Sequence, residues 1–169
     1  MSSAPPPNEP DRDPFSDEPP PSQRRKSYVE ILRPGPHNRF AVSGYLVSPK
    51  PLGLMVHWAG RNVICTKSSG WCQLCEAKVG ARWYGYLAAV ARSSSKIFLL
   101  EISPTVFATV KEFIAQHQTL RGCFVTLSRP SEKVNGRLSI DIKPSIPADP
   151  ASFPAVPDLR SILGRIYQL

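Results

Sequence analysis

The residues best placed to do chemistry in this chain are His57, Cys65, Cys72 and Cys75, four metal-ligating side chains within nineteen positions. Their order is His-x7-Cys-x6-Cys-x2-Cys, closing in Gly70-Trp71-Cys72-Gln73-Leu74-Cys75. A Cys-x2-Cys hairpin sets two sulfurs on one side of a tight turn, and a third Cys with a His completes the four-coordinate shell of a structural zinc site. A catalytic zinc keeps one position open for water, and four protein ligands close it. The pattern predicts one structural Zn2+ in a binding module. Two alternatives stand beside it. Cys72 and Cys75 could form a redox couple, although the surrounding sequence lacks the βαβ context of such motifs. His37, in a Pro/Gly stretch, or His117, on a predicted helix, could supply the nitrogen in place of His57. Cys123 heads an apolar strand and reads as a core residue.

The elements that must position these ligands begin after an unusual opening. Of the 19 prolines in 169 residues, eight precede residue 22, in a stretch with almost no apolar content. That composition predicts a disordered arm over 1–30. It carries Glu9, Asp11, Asp13, Asp17 and Glu18 against Arg12, ahead of the basic cluster Arg24, Arg25 and Lys26. The chain as a whole is at +8, so without the acidic opening residues 23–169 stand near +12. A basic domain with an acidic arm is a pattern of nucleic-acid binders. No apolar run follows Met1 as in a signal peptide, and no run of eighteen apolar residues could span a bilayer. Cysteines without a secretory signal fit a reducing cytoplasm, where clustered thiols bind metal more often than they pair.

Hydrophobic periodicity predicts strands at Phe40–Val47, in an extended segment Leu54–Thr66, at Arg82–Arg92 and at Lys96–Ile102, the last two joined through Ser93-Ser94-Ser95. Ser103-Pro104 starts a helix, Val106, Phe107, Val110, Phe113 and Ile114 form its apolar face, and Gly122 ends it. Strands at Cys123–Arg129 and Arg137–Lys143 follow, separated by a loop closed by Asn135-Gly136. A Pro-rich strap with a short amphipathic helix, Asp158–Gln168, occupies 144–169. This order predicts a mainly β domain over 38–143: a five-stranded OB-fold-like barrel, one helix between its third and fourth strands, and an inserted zinc hairpin. Either Phe40–Val47 or Leu54–Thr66 could be its first strand. Such barrels bind single strands on the face of strands 2 and 3, between two loops. Arg82, Trp83, Tyr84 and Tyr86 open a central strand there as candidates to meet the ligand. Alternation puts Tyr84 and Tyr86 on one face and Trp83 on the other. One of these sets must point into the barrel while the other stacks on bases, with Arg61, Lys67, Lys78, Arg129, Lys133 and Arg137 on the rim for phosphates.

A His followed by three Cys, lodged in such a barrel, resembles the T4-type phage single-stranded DNA-binding (helix-destabilising) proteins in ligand order and in the final Cys-x2-Cys. Arg24-Arg25-Lys26-Ser27-Tyr28 is similar to that family's three basic residues followed by two hydroxyl residues, with Tyr28 departing from the pattern. The gaps between the earlier ligands are shorter here, and the acidic segment is N-terminal instead of C-terminal. The resemblance implies a non-catalytic protein of DNA replication, recombination or repair, encoded by a phage or mobile element. Such a protein would be cytoplasmic and nucleoid-associated, would contact replication or recombination proteins, and would self-associate on single-stranded DNA.

An RNA-binding barrel is the runner-up, because stacking does not distinguish the sugars. A protein-interaction subunit with a structural zinc is the third class. No nucleophile motif, phosphate loop or paired carboxylates point to an enzyme. The acidic arm can reach back toward a basic face and compete with phosphates at high effective concentration. Deleting residues 1–22 is therefore expected to tighten single-stranded DNA binding mainly at low salt. Equal affinities at two salt concentrations would make the arm a passive tail.

Overall fold

The computed structural model describes residues 29–92, 95–145 and 153–167. Residues 1–28 of the expected arm, with the cluster Arg24–Lys26, and Ser93-Ser94 lie outside the described residues. Among the described residues there are twelve short elements, and eight of them are strands: β1 (Glu30–Leu32), β2 (Val42–Leu46), β3 (Leu52–Trp58), β4 (Asn62–Ile64), β5 (Ala81–Val90), β6 (Ile97–Ile102), β7 (Phe124–Ser128) and β8 (Ser139–Lys143). The helices are α1 (Gln73–Glu76), α2 (Pro104–His117) and α3 (Leu159–Tyr167), and Lys67–Ser69 adds a single 3-10 turn. No helix among the described residues is long and apolar enough to cross a membrane.

All eight strands belong to one mixed sheet whose organiser is β5. One edge of β5 pairs antiparallel with β6. Its other edge is shared: the first half, Ala81–Tyr86, pairs with β3, and the end, Ala89–Val90, pairs with β2. The switch falls at Ser48, where the hydroxyl accepts the Ala88 N–H at 2.7 Å in place of a ladder carbonyl. Pro49 and Pro51 cannot donate to a ladder, which is why one strand becomes two. From β2 the sheet continues through β7 to β8; from β3 it ends in β4.

The expected closed five-stranded barrel is corrected by this connectivity. The sheet is open among the described residues, with β8 at one end and β1 at the other. The outer edge of β6 is taken in parallel by β1, which sequence reading had not assigned as a strand and whose first residue, Glu30, it had placed in the arm. Leu54–Thr66 is likewise not one extended segment but the β3–β4 hairpin, turned at Ala59-Gly60-Arg61, with Gly60 at φ +74°.

Side chains alternate across the sheet and so build two cores. Leu46, Leu87, Ala89, Leu100, Ile102, Val125 and Leu127 face α2 through Val106 and Val110. Val47, Tyr86, Ala88, Val90 and Leu99 face α3 through Leu159, Ile162 and Leu163. Ser103 caps α2 by accepting the Val106 N–H. The helix stops not at Gly122 but at Gln118, whose left-handed backbone (φ +64°) lets its N–H reach Ile114 O at 2.7 Å. Asp158 caps α3 by accepting the Arg160 and Ser161 N–H groups. Arg121 ties the strap down by donating to Val47 O and Pro154 O while lying over Phe153. Leu163 is almost fully buried at that contact. Leu163→Ala is expected to lower unfolding free energy by about 2–5 kcal/mol, read as a lower urea midpoint.

Candidate functional site

The β3–β4–β5 wing carries different chemistry on each of its two faces. His57 pairs with Ala81 across the β3–β5 ladder, and its imidazole projects to the side of Met55 and Trp83. Val56 and Trp58 project to the other side, with Arg82 and Tyr84.

On the first face, His57, Cys65, Cys72 and Cys75 place one ligand atom each within 4.8 Å of all the others. His57 Nε2 lies 3.4 Å from Cys72 Sγ and 3.5 Å from Cys75 Sγ, and the sulfurs of Cys65 and Cys75 are 3.6 Å apart. A tetrahedral shell with metal–sulfur bonds of about 2.3 Å and a metal–nitrogen bond of about 2.0 Å has S···S edges near about 3.8 Å and N···S edges near about 3.5 Å. The four atoms therefore fit around one metal ion. Neither His37 nor His117 belongs to the cluster.

Local structure explains the convergence. Cys65 leaves β4 with its N–H on Met55 O, so the hairpin register fixes it beside β3. Thr66 Oγ1 donates to Trp71 O at 2.7 Å and closes the loop toward Cys72. The Cys-x2-Cys pair sits on a helical turn and not on a hairpin: Cys72 precedes α1 and Cys75 lies within it. Lys78 then takes a left-handed backbone (φ +57°), which returns the chain so that the Val79 carbonyl faces His57. That carbonyl accepts from Nδ1 at 2.9 Å, which fixes the tautomer and leaves Nε2 free to ligate. The backbone N–H groups of Cys75 and Thr66 hold the Cys72 thiol down at about 6, favouring thiolate. Lost hydration, reinforced by the neighbouring sulfurs, pushes Cys75 up to about 11. A cation among them relieves that crowding of sulfurs.

On the opposite face lies an open cleft of about 560 Å3, bordered by Arg33, Trp58, Arg82, Tyr84, Arg129 and Arg137. It adjoins a hollow of about 590 Å3 that shares Trp58, Asn62, Arg82 and Tyr84 and adds Val56, Val79 and Gly80. Asn135, in the β7–β8 loop, borders both. Arg82 and Arg137 make no side-chain hydrogen bond or ion pair among the described residues. Arg129 is held by Pro34 O and Gly136 O, and so braces the β7–β8 loop. Arg33 is spent on Glu101, which it meets with two bonds of 2.9 and 2.8 Å.

The aromatics expected on the ligand face divide. Tyr84 borders the cleft, half-buried. Tyr86 is corrected: it is wholly buried under α3, with its hydroxyl on Glu101 at 3.0 Å and 2.6 Å from Tyr167 Oη, so no base can stack on it. Burial raises its phenol far above the ordinary tyrosine value. Trp83 faces the α2 side, where its ring lies against Phe107 at 4.9 Å. Its indole also fills the space over Gly53 and Gly85, where an added Cβ at Gly53 would come within 2.6 Å of Nε1. The space above Gly85 is thus filled by the protein itself. Arg61, Lys67, Lys78 and Lys133 are exposed on adjoining loops and do not line the cleft. Sequence reading missed Trp58, 68% exposed, along with Arg33, Asn62 and Asn135. Trp58 had one available signal, since it follows His57 by one residue and so must point to the opposite face of the same strand.

Comparison with known protein families, with curated proteins and with solved structures returns no match. The metal cluster generates a direct check. Reduced, purified protein is expected to carry one metal ion per chain by elemental analysis, Cys72→Ser to fall well below that, and chelation to lower the melting temperature.

Proposed function

We propose that this chain is a non-catalytic, single-stranded DNA-binding protein stapled by one structural zinc ion, acting in DNA replication, recombination or repair. The observation that carries the reading is the cleft: two unpaired arginines, Arg82 and Arg137, flank the exposed Trp58 and the half-buried Tyr84. Guanidinium groups neutralise phosphates, and aromatic faces stack on bases of any sequence. With Arg33 neutralising Glu101, no unpaired carboxylate among the described residues borders the cleft to repel a polyanion. Zinc is favoured because three thiolates and one imidazole form a closed borderline-soft shell with no place for a substrate.

Connectivity supports an opened OB-like reading. β2, β5, β6, β7 and β8 are joined by four antiparallel ladders, with α2 between the third and fourth of these strands. The cleft runs between the β2–β5 connection and the β7–β8 loop, the two loops that bracket the ligand in that fold. α3 covers the face on which Tyr86 was expected to stack, so the strand is carried at the end of the sheet. The resemblance to T4-type phage proteins rests on the ligand order, the final Cys-x2-Cys and the cluster Arg24–Lys26.

Binding is expected to favour single strands over duplex and to weaken steeply with salt. Arg82→Ala and Arg137→Ala should each flatten the log K against log salt slope by about 0.7. Trp58→Ala should cost about 1–3 kcal/mol in affinity. Fluorescence anisotropy with single-stranded DNA, single-stranded RNA and duplex reads all of these. Equal affinity for duplex would defeat the reading, and tighter binding to RNA would move it to the runner-up class.

A further inference from the structure

The hollow at the end of the cleft differs in chemistry from a non-selective stacking groove. It is lined by Val56, Val79 and Gly80 and by the aromatic rings of Trp58 and Tyr84. Two carboxamides, Asn62 and Asn135, also line it, together with Arg82. Aromatic rings beside several convergent polar groups suit a flat heteroaromatic ring. A base stacked there has its hydrogen-bonding edge within range of groups that both donate and accept. Arg82 supplies the counter-charge for the phosphate attached to it.

Tyr86 gives its hydroxyl proton to Glu101, so Tyr167 must donate to Tyr86. The Asn62 amide acts on Tyr167 in turn, lowering its phenol against the rise from burial. The Asn135 side chain makes no hydrogen bond among the described residues. Two carboxamides beside aromatic rings give the cup a means to read a base edge as well as its face.

We infer that this hollow is a single-nucleobase pocket in which Asn62 and Asn135 read the base edge, giving the chain a base preference headed by adenine. The inference rests on the proposed single-strand binding and adds selectivity to it. A carboxamide matches the adjacent amino donor and ring-nitrogen acceptor of adenine with two bonds.

The experiment uses the full chain and twelve-residue oligomers of deoxyadenosine, deoxycytidine and thymidine, with the adenine ribo-oligomer and free adenosine monophosphate as further probes. The expected result is at least about tenfold tighter binding of the adenine strand than of the thymidine strand, with the monophosphate much weaker than either. Asn135→Ala and Asn62→Ala should each erase most of that ratio while thymidine binding changes little. Arg82→Ala should weaken all strands alike. Equal affinity for all three bases, or asparagine variants that weaken all three equally, overturns the base pocket while leaving single-strand binding intact. Failure to bind any strand overturns the functional reading itself. Because Asn135 lies on an exposed loop, its variant decides the question even if Asn62→Ala fails to fold.

Discussion

The antiparallel ladder between β3 and β5 is the constraint on which the rest of this structure depends. Six paired positions, Leu52 to His57 against Ala81 to Tyr86, fix which side chains share a face. Because the side-chain period in a strand is two, the register that turns His57 toward the cysteines also turns Val56 and Trp58 away from them. A slip by one residue would exchange the two sets. The metal cluster therefore does more than close a loop. A bound ion would lock the register of the same two strands that present Trp58, Arg82 and Tyr84 to the cleft.

Glu101 is the second organising point, a buried carboxylate with three groups arranged around it, Arg33, Tyr86 and Tyr167. An unpaired charge there would be costly, and Arg33 and Tyr86 satisfy it directly. Those bonds reach across β1, β5, β6 and, through Tyr167, α3. This explains why so short a strand as β1 is held in parallel on β6: its three ladder positions are followed at once by the guanidinium that anchors it. It also explains why a basic protein can keep a carboxylate beside a basic cleft without spoiling the field there.

Much of this was legible in the sequence, for physical reasons that also mark where reading stops. The ligand set was readable because metal chemistry restricts residue type and spacing together. β5, β6, α2, β7, β8 and α3 were readable because periodicity and capping residues such as Ser103 and Asp158 are local. β1 was not, since three residues carry no period and their place is decided by pairing with Phe98–Leu100. Nor was the fate of Tyr86, because alternation groups Tyr84 with Tyr86 without saying where α3 ends its cover. The β3–β4 turn was hidden by Gly60 in an apolar run, and the stop of α2 by Gln118, a residue not favoured in a left-handed cap. The closed barrel failed as an expectation because no local signal reports that β1 occupies an edge that closure would need.

The break at Ser48 has a thermodynamic consequence of its own. β2 and β3 are successive along one edge of β5, yet the ladder between them is interrupted, and only the backbone of β5 runs unbroken through both halves. The half that carries the cysteines has few fully buried apolar residues, whereas the other half holds both cores. Stability distributed this unevenly favours sub-global opening, in which one cooperative unit exchanges its amides while its neighbour stays protected. The wing would then behave as a separate foldon whose opening free energy a bound ion would set, and its amide hydrogens would record metal occupancy while those of β6 and β7 would not.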